Sequence, residues 1–207
     1  MPKLIVISAP SGAGKTSLID ALLNENKTNN LVLGISYTTR KQRSKEIDGQ
    51  SYFFISIEDF QKKLEKHEFL ENAEVFGNRY GTSREWVSNN LLEGSDVLLE
   101  LDWQGAMQVK EVYPQAITIF VLPPSIKELE RRLKDRKQDS EETISRRILE
   151  SKEEILRGVS FDFLILNNSF EKALNDLNSI ISKEEVTKER KDEALSILPK
   201  LLEDSSN

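Results

Sequence analysis

The chain is predicted to fold as an α/β protein with a mostly parallel sheet flanked by helices, on three observations. Short apolar runs recur at Leu4–Ser8, Leu31–Ser36, Asp96–Leu101, Ala116–Leu122 and Phe161–Leu166, with helix-period segments between them. That is the rhythm of βαβ units whose strands are buried on both faces. The first run passes through Ala9-Pro10-Ser11-Gly12-Ala13-Gly14-Lys15-Thr16 into a helical pattern beginning at Ser17, giving a strand, a glycine-rich turn and a helix. The chain has 207 residues, 31% of them charged and 38% apolar, enough for one sizeable core and too few for two full domains of common size.

Helices are expected at Lys15–Asn24, Ile57–Lys66, Ser83–Leu92, Trp103–Val112, Ser125–Arg136, Glu141–Gly158 and Phe170–Ser182, from their 3.6-residue apolar period. Pro123-Pro124 fixes the start of the fifth. There Ile126, Leu129 and Leu133 form the packing side, and Arg132 and Arg136 project together one turn apart. Between Tyr37 and Ser83 the rhythm breaks: Tyr52–Ile55, Phe69-Leu70 and Val75-Phe76 read as short strands of an inserted lobe. From Lys183 to Asn207 the chain is highly charged, with one apolar cluster at Leu195, Ile197, Leu198, Leu201 and Leu202. This tail reads as a peripheral helix or as the contact of a homo-oligomer.

With no cysteine, disulfides and thiolate metal sites are excluded. No apolar stretch is long enough to cross a bilayer, and Met1-Pro2-Lys3 runs into the first strand without a signal-peptide pattern; a cytoplasmic protein with no membrane partner is expected. The net charge of −6 argues against nucleic acid as a partner, so phosphate recognition must come from local basic clusters.

The run from Ala9 to Ser17 has P-loop spacing except that Ala9 stands in the first glycine position. Backbone N–H groups of such a turn, with the helix N-terminus behind them, cradle nucleotide phosphates. Lys15 reaches the outer phosphates and Thr16 offers a hydroxyl to Mg²⁺. A nucleoside triphosphate such as ATP is the expected ligand of Ala9, Pro10, Ser11, Gly12, Ala13, Gly14, Lys15, Thr16 and Ser17. At the end of an apolar strand, Asp102 reads either as a carboxylate that organises Mg²⁺ or as a helix N-cap; Glu100 shares its strand face.

Ser36-Tyr37-Thr38-Thr39-Arg40-Lys41-Gln42-Arg43 places two guanidinium groups three residues apart beside several hydroxyls. Alone, it reads equally as a phosphate receptor or as a solvated basic loop. Further on come Asp48-Gly49-Gln50-Ser51-Tyr52-Phe53-Phe54, Phe69-Leu70-Glu71, Arg79-Tyr80-Gly81-Thr82-Ser83 and Leu101-Asp102-Trp103-Gln104-Gly105-Ala106. In this order the series closely resembles the guanylate kinase family, the bacterial enzymes above all, over about residues 3 to 182.

The resemblance implies a P-loop kinase core, a mobile GMP-binding lobe at about residues 37–94, and an arginine-bearing lid at about 136–148. It implies Mg²⁺-dependent transfer of the γ-phosphoryl group of ATP to GMP, with dGMP as a second acceptor. Arg40, Arg43, Tyr52 and Tyr80 would hold the GMP phosphate; Ser36, Glu71 and Thr82 would read the base; Glu100 and Asp102 would complete the acceptor side. Lys15, Arg132, Arg136 and Arg147 would stabilise the transferring group, Asn167 would meet the ATP base, and Thr16 and Asp102 would serve the metal. One carboxylate at Glu71 accepts both guanine N1–H and the exocyclic amine, a donor pair adenine lacks. Outside this pattern Tyr52 reads as strand packing, Glu71 as an exposed charge, and Asn167 as a turn residue.

Two departures stand out: Ser44-Lys45 where the family commonly has glycine, and Arg79 where an aromatic residue is frequent. His67, the only histidine, falls in a charged surface helix without catalytic or metal role, and Trp86 and Trp103 read as packing residues. A protein-binding scaffold of the same architecture, or a P-loop kinase acting on a ribose bisphosphate, are the competing readings. The intact loop and arginine set oppose the first, and Glu71 with Thr82 opposes the second.

Overall fold

Strand and helix alternate through most of the described chain, with runs of strands between Leu31 and Ser83. In order the elements are β1 (Leu4–Ser8), α1 (Lys15–Glu25), β2 (Leu31–Leu33), β3 (Tyr37–Thr38), β4 (Phe53–Phe54), α2 (Ile57–Glu65), β5 (Phe69–Val75), β6 (Asn78–Ser83), α3 (Arg84–Leu92), β7 (Asp96–Glu100), α4 (Trp103–Val112), β8 (Ile117–Leu122), α5 (Ile126–Asp135), α6 (Glu141–Gly158), β9 (Phe163–Leu166), α7 (Phe170–Ser182) and α8 (Lys188–Glu203). The computed structural model describes residues 1–25, 30–75, 77–135, 140–182 and 187–203. The chain divides into two units, Met1–Val6 with Thr28–Ile117 and Ile7–Lys27 with Thr118–Asn207, so that β1 contributes to both.

The first unit holds two sheets. In one the order is β2-β7-β1, with β2 parallel to β7 and Leu31, Val32 and Leu33 opposite Asp96, Val97 and Leu98. The apolar run expected to continue to Ser36 leaves this sheet after Leu33. Gly34 still donates to Leu98 O at 2.8 Å, but a Cβ there would lie 2.5 Å from Leu99 Cδ2 and 3.3 Å from the Trp86 ring. The chain slides past that packing and re-enters as β3 in a second sheet of order β4-β3-β6-β5. There β6 runs antiparallel to both β3 and β5, and β3 runs parallel to β4.

Segment 78–83, not among the expected strands, is strand β6. A hairpin at Gly77 (φ 71°) pairs Val75 with Asn78 and Ala73 with Tyr80, and cross-strand pairing overrides the weak strand propensity of these residues. Val75 ends β5 instead of starting a strand of its own; Phe76 lies outside the described residues. Trp86, packed on Gly34, is a packing residue as expected.

Serines and one aspartate set the helix starts. Ser56, Ser83, Asp102 and Ser140 accept from the N–H three residues on, each satisfying a donor the helix cannot. Ser83 therefore precedes its helix as a cap. His67 is not helical: it follows α2 with φ 54°. His67 N–H donates to Leu64 O and Glu68 N–H to Lys63 O at 3.0 and 3.1 Å, the bond pair of a left-handed helix stop.

The second unit orders β1-β8-β9, with β8 parallel to β9 and Phe120 opposite Leu164. Ala13, Leu129, Leu133 and Ile144 form one buried cluster, onto which Ala9 and Ile148 pack. Against Phe120, Gly158 approaches so closely that a Cβ would stand 2.5 Å from the ring. In the tail, Ala194, Leu198 and Leu201 are buried while Leu195 is exposed, the spacing of one helix stripe. Among the described residues no helix is long and apolar enough to cross a membrane.

His67 occupies a backbone region where a Cβ is penalised. His67→Gly is expected to stabilise the fold by about 0.5–1 kcal/mol, read as a higher denaturation midpoint with unchanged slope in urea.

Candidate nucleotide-binding sites

In the second unit the loop between β1 and α1 is built around two glycines in the left-handed region, Gly12 (φ 95°) and Gly14 (φ 94°). Ala13 N–H donates to Pro10 O at 3.1 Å, closing the turn, and Leu18 N–H to Gly14 O at 3.1 Å, starting the helix. Ala9 is not among the left-handed residues; its methyl packs on the Ala13–Leu129–Leu133–Ile144 cluster, so alanine is accepted where the motif has glycine. Gly14 leaves no room for a side chain, since a Cβ would sit 2.5 Å from Asn167 Nδ2. Lys15 and Thr16 open α1, and Thr16 and Ser17 are exposed.

The Ala13 carbonyl is the hub of this loop. It accepts from Asn167 Nδ2 at 2.7 Å and from Arg132 Nη1 at 3.3 Å. Arg132 is aimed by Glu128, whose Oε1 accepts from its Nε at 2.8 Å. Asn167 is 5% exposed and its own N–H donates to Leu122 O at 2.9 Å, so it is not the free turn residue its neighbours suggested. Gly12, Gly14, Ser17, Arg132, Asn167 and Phe170 are among the residues lining a cavity of about 360 Å³. Arg147 lies on α6 beside Ile148. Arg131 and Arg146 face solvent in ion pairs with Glu128 and Asp135 and with Glu150. Arg136 lies outside the described residues.

The first unit gathers the other candidates. Thr38, fully buried, donates to Arg79 O and accepts from Arg40 N–H, which pins the backbone at Arg40. The Arg40 guanidinium spans the Glu46 carboxylate through both Nη atoms at 2.7 and 3.1 Å, and its Nε donates to Tyr80 Oη at 3.2 Å. It lies 5.4 Å from the Tyr52 ring, which meets Tyr80 edge-on. Burial pushes the Tyr52 hydroxyl up to about 12, with the charge of Glu100 adding to it. Arg43 is exposed, and its N–H donates to Glu46 Oε2 at 2.7 Å. The hydrogen bond from Arg40 holds Glu46 below its ordinary range. Glu46 is thus the residue that sequence reasoning missed: it takes the Arg40 guanidinium as an ion pair and the Arg43 backbone N–H, while Arg43 stays exposed.

Behind it lies a buried polar chain. Thr82 Oγ1 donates to Glu71 Oε1 at 2.6 Å, and Ser36 Oγ stands 3.1 Å from Thr82 Oγ1. With the Thr82 proton committed to Glu71, Ser36 is the donor in that second bond. Thr82 is 1% and Glu71 3% exposed. Removal from water pushes the Glu71 carboxyl up to about 7 against the lowering effect of Thr82, and the charge of Asp102 raises it further.

Asp102 is the N-cap of α4, its Oδ1 accepting from Gly105 N–H at 2.9 Å. Gly105 is the second missed residue: a Cβ there would stand 2.6 Å from Glu71 Oε2, so only glycine lets the carboxylate lie where it does. Among the described residues no three acidic or histidine side chains group as a metal site.

A strand, a left-handed two-glycine loop and Lys15-Thr16 at the helix start define a P-loop nucleotide-binding protein, whose first unit carries the arginine and carboxylate cluster. The guanylate kinase family model matches residues 1–184. Guanylate kinases of Hahella chejuensis and Shewanella denitrificans are 51% and 50% identical over 182 and 184 residues, covering 88% and 89% of this chain and 86% and 88% of theirs. A solved structure, guanylate kinase from Anaplasma phagocytophilum, is similar with TM-score 0.73 at 30% identity, covering 99% of this chain and 95% of that one. The chain belongs to the guanylate kinase family.

Burial of Glu71 has a consequence for stability. Below about pH 4.5 its carboxyl is protonated folded and unfolded alike; as pH rises toward about 7 only the unfolded chain ionises, and the fold loses stability until the folded group ionises too. From about pH 5 to about pH 8, Glu71→Gln is therefore expected to gain on the wild type by up to about 3 kcal/mol in urea unfolding.

Proposed function

We propose that this chain transfers the γ-phosphoryl group of ATP to GMP, with dGMP as a second acceptor, giving ADP and GDP. The observation that carries the choice of acceptor is the buried Ser36–Thr82–Glu71 chain within one unit as the Arg40–Tyr80 pair. Guanine presents N1–H and an exocyclic amine side by side, and ionised Glu71 accepts both. Adenine offers an acceptor at N1, which would leave the buried carboxylate without partners. Arg40, Arg43, Tyr52 and Tyr80 bind the GMP phosphate. Ser36 and Thr82 orient the base and Glu71, and Glu100 and Asp102 complete the acceptor side.

On the donor side the backbone N–H groups of the loop from Ala9 to Ser17 hold the ATP phosphates, and Asn167 borders the nucleotide. An oxygen of the GMP phosphate attacks the γ-phosphorus, the bond to the β-phosphate oxygen breaks, and ADP carries that oxygen away. Lys15, Arg132, Arg136 and Arg147 neutralise charge on the moving group, which is what this chemistry needs from a protein.

Thr16, with its hydroxyl, and Asp102, with a carboxylate whose Oδ2 takes a long, 3.3 Å bond from Gln104, are each of the donor type that would serve Mg²⁺ in this reading. This sparse, all-oxygen donor set suits a cation that keeps its waters and is held chiefly by phosphates. When bound, Mg²⁺ would supply charge neutralisation between the phosphates. The lobe at about residues 37–94, the lid at about 136–148, a cytoplasmic location and the absence of a nucleic-acid partner belong to the same proposal.

A coupled ADP-release assay with GMP, dGMP, AMP, CMP and UMP tests the reading. Turnover confined to the guanine nucleotides is expected, and no turnover with any acceptor would leave a scaffold. Lys15→Ala is expected to abolish turnover while GMP affinity in calorimetry stays within about twofold, because lysine serves the donor phosphates.

Because GMP binds ionised Glu71, its affinity is expected to rise about tenfold between about pH 6 and about pH 8 and level off above. In Glu71→Gln that step is absent, leaving only the titration of the GMP phosphate. An identical pH profile in the two proteins contradicts the base assignment.

A further inference from the structure

The family match ends at residue 184, and α8, which follows it, carries an arginine in an unusual place. Arg190 is 11% exposed, as is Asp176 on α7, which accepts from its Nε and Nη2 at 2.9 and 2.8 Å. The same guanidinium donates from Nη2 to the Leu166 carbonyl at 3.0 Å, meets Asn168 Oδ1 through Nη1 at 3.4 Å, and pairs with Glu193 one turn along α8. Glu193 in turn accepts from Asn168 Nδ2 at 2.6 Å.

Leu166 and Asn168 are the two neighbours of Asn167, whose amide holds the Ala13 carbonyl of the phosphate loop. Seating α8 does not require this arrangement, since Ala194, Leu198 and Leu201 already bury its apolar stripe. A surface-helix arginine ordinarily extends its head into water.

We infer that Arg190 is a positioning residue for the ATP site, a tail residue that grips the β9–α7 loop on both sides of Asn167 and so fixes the amide against which the phosphate loop rests. The inference rests on reading the cavity around Gly12, Gly14 and Asn167 as the donor site. Through Asn167 the effect reaches ATP binding, whereas every candidate GMP contact lies in the other unit. The planar fork matters: an ammonium at this position keeps the charge opposite Asp176 but cannot also reach Leu166 O and Asn168 in fixed directions.

The test is steady-state kinetics of the full chain, with the wild type in the same assay. Wild-type GDP formation establishes the reaction independently of Arg190. Arg190→Met is expected to raise the KM for ATP about fivefold, with kcat and the KM for GMP within about twofold, the signature of lost ground-state binding on one side. Arg190→Lys is expected to regain the thermal midpoint lost in Arg190→Met while keeping the raised KM for ATP, a separation that a purely structural role does not produce. Should Arg190→Met fail to fold, Glu193→Gln carries the test, with a smaller rise in the KM for ATP and none for GMP. An unchanged KM for ATP, or equal rises for both substrates, overturns the inference.

Discussion

A carboxylate held out of water is the constraint on which the polar interior of the first unit depends. Glu71 is supplied by β5, its hydroxyl partner by the neighbouring strand β6, and the space for its second oxygen by the glycine in the first turn of α4. Each of these is ordinary by itself. Together they leave a buried acid with one short bond from Thr82 and with Asp102 close enough to oppose its charge. Both the side chain and the backbone of Thr82 favour the ionised form of Glu71, yet removal from water outweighs them and keeps the carboxyl raised. Under the proposed function, selectivity comes from the penalty a mismatched base would leave on Glu71, which is larger than the gain from any one added contact.

The two candidate anion sites follow a different logic in each unit. Near Arg40 the guanidinium fork is already matched by Glu46, a planar two-oxygen group of the kind that a phosphate resembles, while Tyr80 fixes the remaining edge. Orientation is set before any ligand arrives, so less side-chain freedom remains to be lost on binding. Around Ala13 the work falls to backbone geometry: two glycines accept dihedrals other residues avoid, and Asn167 and Arg132 brace the one carbonyl between them. A charge and a turn thus reach the same end by separate routes.

The sequence revealed most where the determinants are local. The phosphate loop was legible because Gly12, Gly14, Lys15 and Thr16 are consecutive or nearly so, and the long helices were legible from their apolar period. Strand β6 was hidden because Asn78, Gly81 and Ser83 are weak strand formers and its order comes from pairing with β3 and β5, a partner choice no window of sequence contains. Asp102 was readable only as an alternative, and it does cap a helix.

Glu46, Gly105 and Arg190 went unread for one reason: each matters through what it meets across the fold. Glu46 could have been found from its place three residues after Arg43, where a turn carries it back to the basic pair. Nothing in the order of residues ties Gly105 to Glu71 or Arg190 to Leu166.

The central claim concerns the protonation of one buried acid, and it is open to direct inspection by infrared difference spectroscopy with carboxyl-labelled glutamate. At slightly acidic pH the ligand-free protein should show a protonated carboxyl band that is missing in Glu71→Gln, and GMP should convert that band to the carboxylate form. A band absent from the free wild type, or one that GMP leaves untouched, would contradict the account.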